Sequence, residues 1–263
     1  MPFRLAGLLL LGLSAIVPGA VFAESTDCLT PVVIIPDGRV TQGSIPPTTT
    51  YWYGIYAQAN HSYSVEFVPA ADNFFNSIRP QFNGVTVYSP SDTLQLCHGA
   101  SSVTVTPNSG YSPTILKNGN GAGRRVSFIA RYSGLYLVSA TNVMGGGTYT
   151  FRAADTTLVS VRWNTLSGYD AQWILANLSD MPVSGNLVVL DMNAQVMASV
   201  PISIPAGGRV TRSSSVTDIN LPRNAAGLVL FAHNGPPRAV VGESFMLGST
   251  MILPEKFEPV SPQ

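Results

Sequence analysis

Two short segments near the middle of the chain constrain its fold more than anything else. In Ser133-Gly134-Leu135-Tyr136-Leu137-Val138-Ser139-Ala140 and in Gly145-Gly146-Gly147-Thr148-Tyr149-Thr150-Phe151, apolar side chains fall on alternate positions, Tyr136 and Val138 in one arm and Tyr149 and Phe151 in the other. Period-two burial is the signature of a half-buried strand, and a glycine cluster supplies positive φ angles at a turn. The pair therefore reads as a β-hairpin, and the pattern belongs to an all-β chain.

The same alternation recurs on both sides. Strands are expected near Val32 to Ile35, Trp52 to Ala57, Ser62 to Val68, Val85 to Tyr88, Val103 to Thr106, Val126 to Tyr132, Leu135 to Ala140 and Thr148 to Ala153. Further on, Val159, Val161 and Trp163 alternate, as do Trp173 and Leu175, Leu187 and Val189, and Val229 and Phe231, separated by turns such as Pro205-Ala206-Gly207-Gly208. Short strands at this spacing indicate antiparallel sandwiches. The stretch from Pro107 to Gly123 is rich in turn residues and reads as a surface loop, and the segment Asp72 to Arg79 is left open as a short helical turn.

The N-terminus is of a different kind. Arg4 precedes an apolar run from Leu5 to Val17 and a Pro18-Gly19-Ala20-Val21-Phe22-Ala23 end, the layout of a secretory signal peptide cleaved near Ala23. The run is too short for a comfortable span, and Cys28 is not placed for lipid attachment. The reading is a secreted or periplasmic protein of bacterial type without membrane insertion, divided into a signal peptide (1–23), a first β-sandwich (24–156), a second (157–258) and a disordered tail (259–263). Cys28 and Cys97 are the two cysteines, so export through an oxidising compartment predicts one disulfide between them.

Charge excludes some partners. The 14 basic and 14 acidic side chains cancel, and lysine occurs only at Lys117 and Lys256, so no basic surface is available for nucleic acid or an anionic membrane. Threonine, serine, asparagine and glycine are plentiful, which suits exposed strand faces and turns rather than long helices.

Two resemblances accompany these patterns. Trp52-Tyr53-Gly54-Ile55-Tyr56-Ala57-Gln58-Ala59-Asn60-His61-Ser62-Tyr63-Ser64-Val65-Glu66, with Ser133-Gly134-Leu135-Tyr136-Leu137-Val138 and Gly147-Thr148-Tyr149-Thr150-Phe151, resembles the bacterial pre-peptidase C-terminal domain, a small β-sandwich of jelly-roll type. That family usually carries glycine where Asn60 or His61 stands and often accompanies a secreted peptidase. Asn177 to Leu187, Ile204 to Gly208 and His233 to Pro237 are similar to immunoglobulin-like modules of secreted bacterial proteins, which implies linking, presenting or binding.

Candidate chemistry is sparse. Gly242-Glu243-Ser244-Phe245-Met246 approaches a nucleophile elbow but lacks its second glycine and its helix. His61, His98 and His233 are isolated from one another, so a zinc set is not expected, and His233 reads as a turn residue. Asp37, Asp180, Asp191 and Asp218 stand beside turn residues rather than as a glycosidase pair. No cofactor is expected. Calcium is the ion to consider, with oxygens at Asp72-Asn73 or Asn118-Gly119-Asn120. Ligand-surface residues are Tyr51, Trp52, Tyr53, Tyr56 and Tyr111, as rings for a sugar, and Arg124 and Arg125, for an acidic partner. The function expected is a non-catalytic exported binding, adhesion or structural protein with an extracellular protein or glycan as partner. The alternatives are a carbohydrate-binding accessory protein and a secreted hydrolase.

Overall fold

The computed structural model describes residues 24–69, 82–90, 97, 114–118, 121–143, 145–248 and 252–260. The proposed signal peptide, Asp72 to Arg79, Val103 to Thr106, His98, Tyr111 and residues 119–120 lie outside them. The described residues are built almost wholly of strands, and the fold is all-β.

Among the described residues nine strands precede Thr156: β1 (Val32–Ile34), β2 (Asp37–Ile45), β3 (Thr50–Ala57), β4 (Ser62–Pro69), β5 (Phe82–Tyr88), β6 (Thr114–Asn118), β7 (Gly121–Ile129), β8 (Gly134–Asn142) and β9 (Gly147–Asp155). They form two sheets, ordered β1-β3-β8-β5 and β2-β9-β4-β7-β6. Alternate residues of each sheet fill one core. Ile55, Val65, Phe67, Phe128 and Tyr136 are wholly buried, and Tyr53 stacks on Phe151 with ring centroids 4.8 Å apart. Each such side chain contributes about 2 kcal/mol of transfer free energy, and the stacked pair adds to that.

The segment at Ser133 to Phe151 is not a hairpin. β8 and β9 belong to opposite sheets, and the chain between them crosses the end of the sandwich. Tyr136 and Val138 therefore contribute to the core from one side and Tyr149 and Phe151 from the other. Period two records which face is buried; it does not say whether two successive strands share a ladder or a core. The crossing is held by Asn142, whose side-chain amide donates to the carbonyls of Pro46, at 2.8 Å, and Gly145.

Other expectations are also corrected. Part of the stretch expected as a loop is the β6–β7 ladder, pairing from Thr114↔Arg125 to Asn118↔Gly121. β2 shows little alternation because it is an edge strand with only Ile45 buried. β1 runs parallel to β3, so this sheet is not purely antiparallel. Cys28 and Cys97 are disulfide-bonded across 69 residues, which in the chain-entropy description stabilises by about 4 kcal/mol.

Nine further strands follow among the described residues: β10 (Leu158–Asn164), β11 (Asp170–Asn177), β12 (Val183–Asp191), β13 (Val196–Ile204), β14 (Arg209–Ser213), β15 (Ala226–His233), β16 (Val240–Leu247), β17 (Ile252–Lys256) and β18 (Glu258–Pro259). Their sheets are ordered β13-β12-β15-β10-β18 and β14-β11-β16-β17, around a core of Trp163, Trp173, Leu175, Leu187, Val189 and Phe231. Pro259, expected in a disordered tail, instead pairs with Leu158. The two cores share no residue.

Candidate functional site

The chain passes from the first core to the second through Asp155, Thr156 and Thr157, all buried, and these three residues gather most of the polar side chains near the passage. Asp155 lies at the end of β9, where its Oδ2 is 2.8 Å from His61 Nδ1 and its Oδ1 accepts the Thr157 backbone N–H at 2.9 Å. The Tyr63 hydroxyl accepts the Gln58 N–H at 2.9 Å near this carboxylate, and burial raises the Tyr63 phenol above the usual range. Ser62, at the start of β4, donates its backbone N–H to Thr157 Oγ1 and accepts from both the Thr156 N–H and its hydroxyl. From the other side, Val260 donates its N–H to the Thr157 carbonyl.

His233 completes the cluster from the end of β15. It is 1% exposed, and its Nδ1 accepts the Gly235 N–H at 3.1 Å. Because Nδ1 is the acceptor, in the neutral form Nε2 carries the proton. Burial pulls its pKa down to about 4, against opposing contributions from Thr156 and the Asp155 carboxylate. His233 is thus a buried strand-end residue rather than a turn residue. Nearby, β7 lies against β15, and Val188, Leu190 and Leu230 form a small second cluster with Val159 on the face of the five-stranded C-terminal sheet away from its core.

Chemically, His61 and Asp155 have the geometry of a base and its orienting carboxylate. No hydrogen bond from His61 to a serine or cysteine side chain occurs among the described residues. The arrangement fixes backbone around the passage; Ser62, Thr156 and Thr157 spend their hydroxyls on one another and on the chain.

The ligand-surface residues are split by the pleat. Tyr51 and Tyr53 point into the core and are 6% and 4% exposed, so neither presents a ring to a sugar. Tyr53 OH is hydrogen-bonded to Tyr149 OH, and Tyr51 lies near Glu24, whose Oε1 accepts the Ser44 N–H at 2.6 Å on the edge of β2. Burial raises all three phenols, Tyr149 to about 12. Trp52 and Tyr56 take the other face; Tyr56 is exposed, and Trp52 lies 5.7 Å from the Tyr88 ring. Arg124 and Arg125 are half-buried on β7. Arg125 and Arg152 converge on Glu66, at 3.8 and 2.7 Å, and burial lowers the Arg125 pKa although Glu66 opposes it.

A groove of about 660 Å³ lies on the sheet of β11 and β16. Ile174, Ala176, Val241 and Phe257 give it apolar walls, and Arg209, Glu243, Lys256 and Glu258 give it charges of both signs. Its volume falls in the range of small-molecule and peptide sites. Neither the junction nor this groove was singled out from sequence. The junction brings together His61 and Asp155, 94 positions apart, and Ser62 and Thr157, 95 apart, and the groove is made largely by outward positions of strands whose inward positions carry the hydrophobic signal.

Ser244 faces inward on β16, 1% exposed and without a hydrogen-bond partner, which rules it out as an accessible nucleophile. Asp37, Asp191 and Asp218 accept backbone N–H groups of Arg39, of Asn193 and Gln195, and of Ser213, as turn residues do. Among the described residues no three histidine, cysteine or carboxylate side chains cluster as metal ligands, and no helix is long and apolar enough to cross a membrane.

No family model and no curated protein matches the chain. Among solved structures, the full extracellular region of zebrafish Gpr126/Adgrg6 is similar over 87% of this chain and 31% of that one, with 9% identity and a TM-score of 0.21. The chain spans well under half of that structure, and at this TM-score the likeness assigns it neither ancestry nor role.

Proposed function

We propose that the chain is an exported, non-catalytic binding or adhesion protein in which two β-sandwiches are held as one body and the outer face of the second presents the ligand surface. The groove on β11 and β16 carries this reading: an apolar floor flanked by unlike charges suits an extended ligand with apolar and mixed-charge groups, such as a peptide segment of an extracellular protein. The disulfide and the signal-peptide layout of residues 1–23 support an address outside the cytoplasm.

The test is binding of labelled residues 24–263 to peptide and glycan arrays, with Val241→Arg filling the groove. The reading expects peptide ligands retained by the wild type and lost in the variant. Peptide binding unchanged in Val241→Arg, or turnover of an ester or peptide substrate, would overturn it. A glycan reading is favoured by one observation, the outward Trp52 ring beside Tyr88 with Tyr56 four residues further on the same face. It expects glycan binding lost in Trp52→Ala and kept in Val241→Arg.

A further inference from the structure

We propose that β2 is a self-association edge, through which two copies of the chain pair strand to strand about a two-fold axis at Thr41. The inference is independent of the groove on β11 and β16, which lies on the other sandwich.

Edge strands of soluble proteins carry devices against pairing, and the second sandwich has one on each of its edges. Pro201 stands in β13, Pro254 in β17 and Pro259 in β18, and β14 turns Arg212 inward. In the first sandwich β1 is only three residues long. β2, by contrast, is an edge of nine residues without proline or lysine. Past the bulge between Asp37 and Val40 it pairs regularly with β9 as far as Ile45, and its far side meets no other strand among the described residues.

Ser44 shows which backbone groups face that side, because its N–H leaves the ladder to reach Glu24 Oε1 at 2.6 Å. In an antiparallel pair alternate residues turn their backbone groups the same way, so Gln42 and Val40 also point theirs outward. A two-fold at Gln42 would set the capped Ser44 against Val40. A two-fold at Thr41 instead sets Val40 of each copy against Gln42 of the other, and it uses only open groups, about four hydrogen bonds in all.

The same axis matches the side chains. Arg39 is 86% exposed and its Nε lies 3.2 Å from Asp37. A guanidinium has further donors, so it can keep Asp37 and take a second carboxylate. In this register Arg39 comes level with Gly43 of the other copy, and Gly43 lines one small recess together with Gln42 and Glu24. Arg39 therefore meets the second copy's Glu24, and the two-fold repeats the pair. Apolar surface is covered as well. Thr41 lines a cavity of about 190 Å³ between β1 and β2, floored by the buried Ile34 and Phe151, and an axis at Thr41 sets two such cavities side by side. Val33, Ile35 and Val40 around the opening are 49%, 75% and 63% exposed in the single chain, and the seam draws them in.

Sedimentation equilibrium of residues 24–263 should return a two-copy mass that falls toward one copy on dilution. Amide exchange at Val40 and Gln42 should be slow in concentrated solution and fast in dilute. Arg39→Glu, a change at an exposed side chain, sets acid against Glu24 at both ends of the seam and should raise the dissociation constant by about tenfold or more. Adding Glu24→Lys to it restores opposite charges and should recover part of the affinity. Gln42→Pro removes an N–H that points away from β9, so the fold should keep its circular dichroism while association is lost. A one-copy mass at every concentration, a two-copy mass with Gln42 exchange unchanged on dilution, or an Arg39→Glu variant that associates like the wild type would each overturn the proposal. Should Gln42→Pro fail to fold, the Arg39→Glu constant and the exchange at Gln42 decide it.

Discussion

His61 and Asp155 stand 94 residues apart in sequence and 2.8 Å apart in the fold, both largely buried, at the point where the chain leaves one sandwich for the other. The carboxylate accepts from two sides, from the imidazole of His61 and the backbone of Thr157, with the Tyr63 phenol close by. A carboxylate with its lone pairs so occupied orders its surroundings strongly, since each donor is left unpaired if it is removed.

Asp155→Ala is accordingly expected to destabilise the protein by about 3 kcal/mol, the cost of orphaning buried donors, and Asp155→Asn by less. Guanidinium denaturation of residues 24–263 measures both. Equal midpoints for wild type and Asp155→Ala would show that these bonds contribute nothing.

The two buried tryptophans of the second core make a matched pair. Trp163 donates its indole N–H to the Leu190 carbonyl at 2.7 Å, whereas Trp173 Nε1 has no partner. Both are deeply buried, so the loss of ring volume is comparable in the two phenylalanine variants. Trp163→Phe should therefore cost about 1–2 kcal/mol more than Trp173→Phe. Chemical denaturation of the two variants decides it, and the reverse order would contradict the hydrogen-bond assignment.

Ser244 belongs to the same row. It lies opposite Trp173 on one side and Glu255 on the other, and Arg212 faces Trp173 from β14. Each of these four residues carries a buried side-chain atom without a partner. Arg212 and Glu255 sit on the two edge strands as inward-pointing charges, a device that discourages edge-to-edge pairing. Ser244→Ala removes an unsatisfied hydroxyl and should be neutral or stabilising by up to about 1 kcal/mol in thermal melts. A loss of 2 kcal/mol or more, on the same scale, would mean that the hydroxyl has a partner.

The pH dependence of stability follows from His233. Its pKa is about 4 in the folded protein against an ordinary 6.5, so between these values the unfolded chain holds the extra proton. Stability is fully present above about 6.5 and is lost as pH falls toward 4, by about 3 kcal/mol in all. Denaturation midpoints at pH 7, 5.5 and 4.5 should fall in that order, and less steeply in His233→Gln. A flat wild-type profile would mean that the ring titrates alike in both states.

The sequence shows which side chains are buried far better than it shows which strands meet. Tyr136, Val138, Tyr149 and Phe151 all read as core from alternation and all are core, yet the two strands that carry them lie in different sheets, because burial periodicity is blind to hydrogen-bond partners. The disulfide was legible because Cys28 has one possible partner. Of the ring cluster, alternation divides Tyr51 and Tyr53 from Trp52 and Tyr56, but a sequence gives no sign of which set faces in. Asp155 gave no signal, since a lone aspartate before two threonines resembles any strand end. Its role appears only when the fold brings His61, Tyr63 and Thr157 around it.

The most direct test is whether the two sandwiches tumble as one body at neutral pH. Residual dipolar couplings of residues 24–263 at pH 7, fitted separately for the strands before Thr156 and after Thr157, should return a single alignment tensor of the same magnitude and orientation. Two tensors of different magnitude would show the sandwiches moving independently, and the hydrogen bonds of Asp155, Thr156 and Thr157 to His61 and Ser62 would then not be holding the junction.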